Sequence, residues 1–101
     1  MDFEEIDQKE LTQSQKRCIA EFQYNIRRFE RGTINYYSRA VTIFLKISGI
    51  EEFNMRLSYM DLKPFLNRQI DYYYFKKIRQ ATMSNHFHGL SRFFSFLMDN
   101  G

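Results

Sequence analysis

Hydrophobic side chains recur every three or four residues along most of the chain, the spacing of helices that bury one side. The clearest apolar stripe lies in the last third of the chain. Its members are Met83, Phe87, Leu90, Phe94 and Leu97, widened by Phe93 and Phe96. With one proline and four glycines in 101 residues, little interrupts this pattern. The sequence predicts an all-α fold, a bundle of four to five helices.

Capping and breaking residues predict where the helices begin and end. Thr12 and Gln15 fit a capping box, in which each side chain bonds the other residue's backbone. Gly32 is expected to break the first helix, and "SGI" and "DNG" to end the second and fourth. The predicted helices cover about 12–29, 34–47, 59–70 and 82–98, with Thr33, Ser58 and Thr82 as the later N-caps.

The third predicted helix and the stretch after it are the hardest to place. Pro64 lies inside that helix and predicts either a kink or a later start. The following "DYYYFKKIRQA" fits a helix extension, a short strand pair or an ordered loop. Its tyrosines could stack on bases, although packing is the commoner use of such a run.

Two predicted helices carry narrow polar stripes that contain no acid. Most solvated helix faces mix both signs of charge, often as pairs four residues apart. The acid-free stripes favour a DNA-binding surface, the alternative being an ordinary exposed helix face. The first stripe is Asn35, Arg39, Thr42 and Lys46, and the second is Asn85, His88, Arg92 and Ser95.

The histidine and cysteine positions do not fit a metal or catalytic site. His86 and His88 are two residues apart, so on a helix they point about 200° from each other and cannot share a metal. Cys18 is the single cysteine and is expected on the core side of the first helix. No carboxylate pair, Ser–His or Cys–His arrangement or phosphate loop has an informative spacing. We expect no catalytic residue, metal, cofactor or small-molecule ligand.

The charge is unevenly distributed. The first ten residues hold five acids and one lysine, which leaves +7 on the other 91 residues of a chain with net charge +3. A basic body suggests a polyanionic partner, or else a solvated basic surface. Residues 1–11 are treated as an acidic leader, with disorder and contact to another domain both open. Lys76, Lys77 and Arg79 precede the fourth helix and could form a phosphate clamp at its N-terminus.

The number of cysteines and the length of the apolar runs indicate the cellular compartment. One cysteine allows no internal disulfide, and no apolar run approaches the length of a membrane helix. The acidic N-terminus also argues against a secretory signal. We expect a cytoplasmic protein with no membrane partner.

Three segments together resemble the core-binding domain of tyrosine recombinases, the phage-integrase group. They are "GTINYYSRAVTIFLKISGI", "LSYMDLKPFLNRQI" and "ATMSNHFHGLSRFFSFLMDNG". In order, each is similar to a helix of that SAM-like bundle, and the resemblance covers about residues 16–101. The matching positions are Thr33, Tyr37, Val41, Phe44 and Leu45, and later Thr82, Phe87, Leu90, Phe93, Phe94, Phe96 and Leu97.

The resemblance implies that residues 12–101 form one half of a clamp around double-stranded DNA, with the second and fourth helices crossing the major groove. A catalytic domain is expected to follow residue 101, so this part has no strand-cleaving activity of its own. The implied partners are that domain, other recombinase protomers on the DNA, and the DNA itself, in a bacterial cytoplasm at the nucleoid. The candidate DNA contacts are Asn35, Arg39, Thr42, Lys46, Lys76, Lys77, Arg79, Ser84, Asn85, His88 and Arg92.

A second hypothesis is a helical protein–protein interaction module. It uses the aromatic cluster Tyr72–Phe75 as its contact surface. In that case Tyr73→Ala should abolish partner binding, while Arg39→Ala and Arg92→Ala should change little.

Overall fold

The computed structural model describes residues 3–50 and 59–99. Within them the chain forms five helices and no strand, which confirms the predicted all-α bundle. The helices are α1 Phe3–Gln8, α2 Gln13–Asn25, α3 Arg31–Ser48, α4 Tyr59–Phe75 and α5 Gln80–Asp99.

α2 begins with the predicted capping box. The Gln15 N–H donates to the Thr12 hydroxyl at 3.1 Å, and the Thr12 N–H donates to the Gln15 side chain at 2.9 Å. Gln15 is itself buried, and its amide also donates to the carbonyls of Leu45 and Ile50. The cap therefore also ties the start of α2 to the end of α3.

The break between α2 and α3 comes earlier than the sequence predicts. α2 ends at Asn25 rather than Phe29, and a tight turn follows in which the Phe29 N–H donates to the Ile26 carbonyl. Because this turn already reverses the chain, α3 starts at once, with Glu30 in the extended conformation of an N-cap. The predictions that Gly32 breaks the helix and that Thr33 caps it are wrong, since both lie in the first turn of α3.

α4 is longer than predicted and includes the tyrosine run. It begins at Tyr59 with Pro64 inside, so the later start is wrong, and it continues past Ile70 to Phe75. The run extends the helix, with Tyr72 and Tyr73 buried in the core. The expected cap Ser58 lies outside the described residues.

A Schellman-type turn joins α4 to α5. The Ile78 N–H donates to the Tyr73 carbonyl and the Lys77 N–H to the Tyr74 carbonyl, both at 3.1 Å. Lys77 has φ 56°, a left-handed conformation that favours glycine. The turn is short enough for α5 to begin at Gln80, so Thr82 lies inside the helix and its prediction as the N-cap is wrong.

The core lies around α3, which packs against the other four helices. One cluster joins α2, α3 and α5 through aromatic rings. The Phe93 ring centroid lies 5.3 Å from Phe22 and 6.3 Å from Phe44. A second cluster joins α1, α3, α4 and α5, and its buried members are Ile6, Ile47, Tyr72, Tyr73 and Met83.

The acidic leader contains a docked helix. Ile6 of α1 is 1% exposed, and the Phe3 ring lies 5.9 Å from Tyr72 and 5.3 Å from Phe75. Residues 3–8 therefore fold back onto the bundle in this structure.

Candidate nucleic-acid interface

None of the eleven candidate DNA contacts lies in the core. Thr42, Lys46 and Lys76 are half-buried. The exposed members are Asn35, Arg39, Lys77, Arg79, Ser84, Asn85, His88 and Arg92. The predicted polar stripes of α3 and α5 therefore face outward, and their surroundings divide them into two groups.

The N-terminal half of α3 opens onto a surface depression of about 640 Å³ beside the α2–α3 turn. Asn35 lines this depression together with Arg27 and Arg31. Neither arginine was assigned a role from the sequence. The signal was the segment "RRFER", which places three arginines within five residues at a helix break. The fold adds two cations to the predicted stripe at this end.

α5 joins the same end of the molecule through Arg92. Its guanidinium lies 5.0 Å from the ring centroid of Phe29, a cation–π contact with the α2–α3 turn. The Phe29 ring in turn packs edge-on against Tyr37 of α3. Arg92 is therefore held beside the start of α3, although it lies 57 positions beyond Asn35.

Asn85 completes this open group. It lines a second depression of about 290 Å³ with Thr33 and Tyr36 of α3. Among the described residues that line either depression, Glu30 is the one acid. We call the set Asn35, Asn85, Arg92, Arg27 and Arg31 the open cluster. It offers cations and amides with one carboxylate beside them.

The C-terminal half of the α3 stripe lies beside α1. Thr42 and Lys46 line a depression of about 460 Å³ with Asp7 and Lys9. The Lys9 ammonium donates to the Lys46 carbonyl at 3.4 Å, and the Thr42 hydroxyl donates to the Ser38 carbonyl at 2.8 Å. This half of the stripe therefore faces other protein groups as well as solvent.

The predicted phosphate clamp before α5 is only partly open. Lys76 forms an ion pair with Asp7, whereas Lys77 and Arg79 are exposed. The pKa of the Asp7 carboxyl is lowered by its hydrogen bonds from Lys76 and Tyr72 and by the charges of Lys76 and Lys46. Lys76 is therefore not a free cation in this structure.

The two histidines lie on different sides of α5, as their spacing predicted. His88 is exposed, whereas His86 is 3% exposed and its Nδ1 lies 2.6 Å from the Tyr73 hydroxyl. The Tyr73 hydroxyl also accepts from the Gln69 amide, so the three side chains form a buried chain of hydrogen bonds. Burial, and then the charge of Arg39, lowers the pKa of His86. In the described part of the chain, no three metal-ligating side chains come together.

The structure limits the aromatic surface required by the protein–protein hypothesis. Tyr72 and Tyr73 are buried, while Tyr74 is 69% and Phe75 49% exposed. Tyr73 as a binding hot spot is wrong, because its ring packs in the core and Tyr73→Ala would damage the fold. Only Tyr74 and Phe75 remain available to a partner.

Cys18 has the predicted place in the first long helix. It is half-buried and packs against the core cluster. Burial, and then the charge of Glu21, raises the pKa of its thiol to about 11. At neutral pH it is a packed thiol rather than a thiolate nucleophile.

Comparisons with known proteins give no relative: no family model, curated protein or solved structure matches this chain. The likeness to the tyrosine-recombinase domain stays a prediction that rests on the three segments quoted above. Among the described helices, none has the length and apolarity to cross a bilayer.

Proposed function

We propose that this chain binds double-stranded DNA through α3 and α5, as the core-binding module of a bacterial tyrosine recombinase. The observation that supports it best is the open cluster, in which three predicted contact residues of α3 and α5 lie around the α2–α3 turn with two further arginines. In this proposal the protein acts in the cytoplasm at the nucleoid.

The side chains of this face match the chemistry of a duplex. Arginine contacts phosphates and pairs in a bidentate manner with guanine, and asparagine pairs with adenine in the major groove. Asn35 and Asn85 are exposed, so both amides are accessible to base edges. Phe29 restricts the Arg92 guanidinium, which lowers the entropy lost when it binds a phosphate.

In the same proposal, strand cleavage belongs to a separate catalytic domain. That domain and other protomers on the DNA are the further partners. The chain would hold DNA without cutting it, and none of its tyrosines would serve as the nucleophile.

Fluorescence anisotropy of a labelled duplex, titrated at several salt concentrations, tests this function. Wild type is compared with the double variant Arg39→Ala/Arg92→Ala. If three to five cations contact phosphates, the slope of log affinity against log salt should be about −3 to −4.5. The double variant should bind more weakly, with a slope shallower by about 2.

A matched control removes two charges elsewhere. Arg17→Ala/Lys63→Ala has the same net charge as the test variant, and neither residue belongs to the candidate DNA contacts or to the open cluster. It should retain most of the wild-type affinity. Equal losses in both double variants, or no binding by wild type at low salt, would overturn the proposal and favour a protein partner.

A further inference from the structure

α1 places a carboxylate where a phosphate oxygen would otherwise meet Lys76. One oxygen of Asp7 accepts from the Tyr72 hydroxyl at 2.5 Å, and the other pairs with the Lys76 ammonium. Both donors belong to α4 and the turn that follows it. A carboxylate held by an ammonium and a hydroxyl has the hydrogen-bond pattern that a phosphate oxygen would take.

Apolar contacts hold α1 in place without help from this charge. Ile6 is buried in the second core cluster, and the Phe3 ring packs against Tyr72 and Phe75. The Arg68 guanidinium lies 4.8 Å from the Phe3 ring centroid, which is a cation–π contact. The charge of Asp7 can therefore be removed while α1 remains docked.

The same helix also lies beside the C-terminal half of the α3 stripe. Asp7 lines one depression with Thr42 and Lys46, and Lys46 is near enough to help lower the pKa of the Asp7 carboxyl. The cation of Lys76 and, more weakly, that of Lys46 are thus balanced from within the chain. The open cluster lies at the other end of α3, around the α2–α3 turn.

We propose that α1 is an autoinhibitory element that competes with DNA phosphates for Lys76 and Lys46. This inference rests on the proposed function. A carboxylate and a phosphate oxygen cannot hold the same ammonium hydrogen bond at once, so the duplex gains these cations only when Asp7 releases them. With Asp7 in place, the open cluster carries most of the affinity.

The test is the variant Asp7→Asn in the anisotropy assay. Its amide oxygen still accepts from Tyr72, whereas its charge no longer opposes Lys76. We expect duplex affinity at low salt to rise about fivefold or more, in the usual range of couplings between sites. The salt slope should steepen by about 0.9 for each cation released.

Glu5→Gln is the matched control on the same helix. It removes the same charge from an exposed position where no described cation forms an ion pair. We expect it to change affinity less than about twofold, because salt screens an exposed charge at a distance. An equal gain in both variants would show a general charge effect and overturn the inference.

Lys76→Ala supplies a second test, and its result in the wild-type background does not depend on how well Asp7→Asn folds. Because Lys76 is already occupied, its loss from wild type should lower affinity less than about twofold. In the Asp7→Asn background the same change should remove most of the gain and leave the smaller part that is due to Lys46. If Arg39→Ala/Arg92→Ala weakens duplex binding but Asp7→Asn leaves it unchanged, the inference is wrong and the proposed function is retained. If neither wild type nor Asp7→Asn binds the duplex, both the inference and the proposed function are wrong.

Discussion

The absence of a side chain at Gly89 determines how closely α5 can approach α3. A Cβ built there would lie 2.8 Å from the Tyr37 ring and 2.9 Å from its backbone Cα. Contacts under 3 Å with a backbone atom cannot be relieved by turning a side chain. α5 can approach α3 this closely only because residue 89 is a glycine.

We expect Gly89→Ala to lower the free energy of unfolding by about 1–3 kcal/mol, the usual cost of overpacking. This loss should exceed the advantage of about 1 kcal/mol that alanine has over glycine inside a helix. Gly32→Ala is the control, because no atom lies within 4 Å of its added Cβ. Gly32→Ala should raise the free energy of unfolding by about 0.4–1 kcal/mol. If urea unfolding shows that both variants change this free energy in the same direction, the packing argument is wrong.

Lys77 occupies a left-handed position that glycine would fill with less strain. We expect Lys77→Gly to raise the free energy of unfolding by about 1 kcal/mol, since the left-handed conformation costs other residues about 1–2 kcal/mol. Lys77→Ala removes the same charge but keeps a Cβ, so it should bring no gain. Thermal unfolding of Lys77→Gly and Lys77→Ala tests this expectation. Equal stabilities would show that the left-handed conformation of Lys77 does not destabilise the fold.

His86 should make stability depend on pH. Its pKa is lowered in the folded state, so below its ordinary value of 6.5 the unfolded chain binds a proton that the folded chain does not. The free energy of unfolding is therefore at its full value above pH 6.5 and falls as the pH drops, by at most about 1.4 kcal/mol per pH unit. Urea unfolding of His86→Gln between pH 7 and 5 should show a flatter dependence, and parallel curves would rule out His86 as the cause.

Local signals were sufficient for some residues and insufficient for others. The Thr12–Gln15 capping box was predicted because both partners lie within one turn. The predictions of caps at Thr33 and Thr82 were wrong because the start of a helix depends on where the preceding turn ends. The position of that turn is set by tertiary packing. The burial of His86 had a signal that was missed, since His86, Leu90 and Phe93 share the four–three spacing of the core side.

At the scale of elements, α1 is a short helix that depends on its docking. Six residues are too few for a stable helix in water, so the buried Ile6 side chain must supply much of the stability. We expect Ile6→Ala to lower the free energy of unfolding by about 2–5 kcal/mol. Glu5→Ala on the exposed side should change it by less than about 0.5 kcal/mol. Chemical unfolding with equal midpoints would mean that α1 is not anchored by Ile6.

The apolar stripes of α3 and α5 were predictable because each helix is long enough for its period to emerge. Phe44, Leu90 and Phe93 are buried as their spacing indicated. The tyrosine run of α4 gave no clear period, since four consecutive aromatics fit any element. Contacts with residues distant in the sequence stabilise the helical conformation of this run, such as the hydrogen bond between Tyr73 and His86.

At the scale of the whole molecule, shared residues join the two core clusters. Phe65 and Phe87 pack against both of them, and α3 contributes to each. We expect one cooperative unfolding transition, as is usual for domains under 150 residues. Far-ultraviolet circular dichroism reports the helices, and tyrosine fluorescence can be followed because the chain has seven tyrosines and no tryptophan. Curves that coincide confirm one unit; an earlier loss of the tyrosine signal would show that the second cluster opens separately.

The candidate site could be predicted as two stripes but not as a surface. Helical spacing places Asn35 and Arg92 on outer faces, which the structure bears out. It cannot show that Phe29 brings Arg92 to the start of α3, or that Asp7 pairs with Lys76. Both contacts join residues far apart in the chain, so only the packed fold creates them.

The bond between Tyr72 and Asp7 spans 65 positions, which has a consequence for the order of events during synthesis. α1 leaves the ribosome well before the part of α4 that holds it. At usual elongation rates of about 5–20 residues per second, that interval lasts about 3–13 seconds. During this interval Phe3 and Ile6 have no completed core to pack against. The nascent chain therefore exposes an acidic, partly apolar segment, which is among the last to dock.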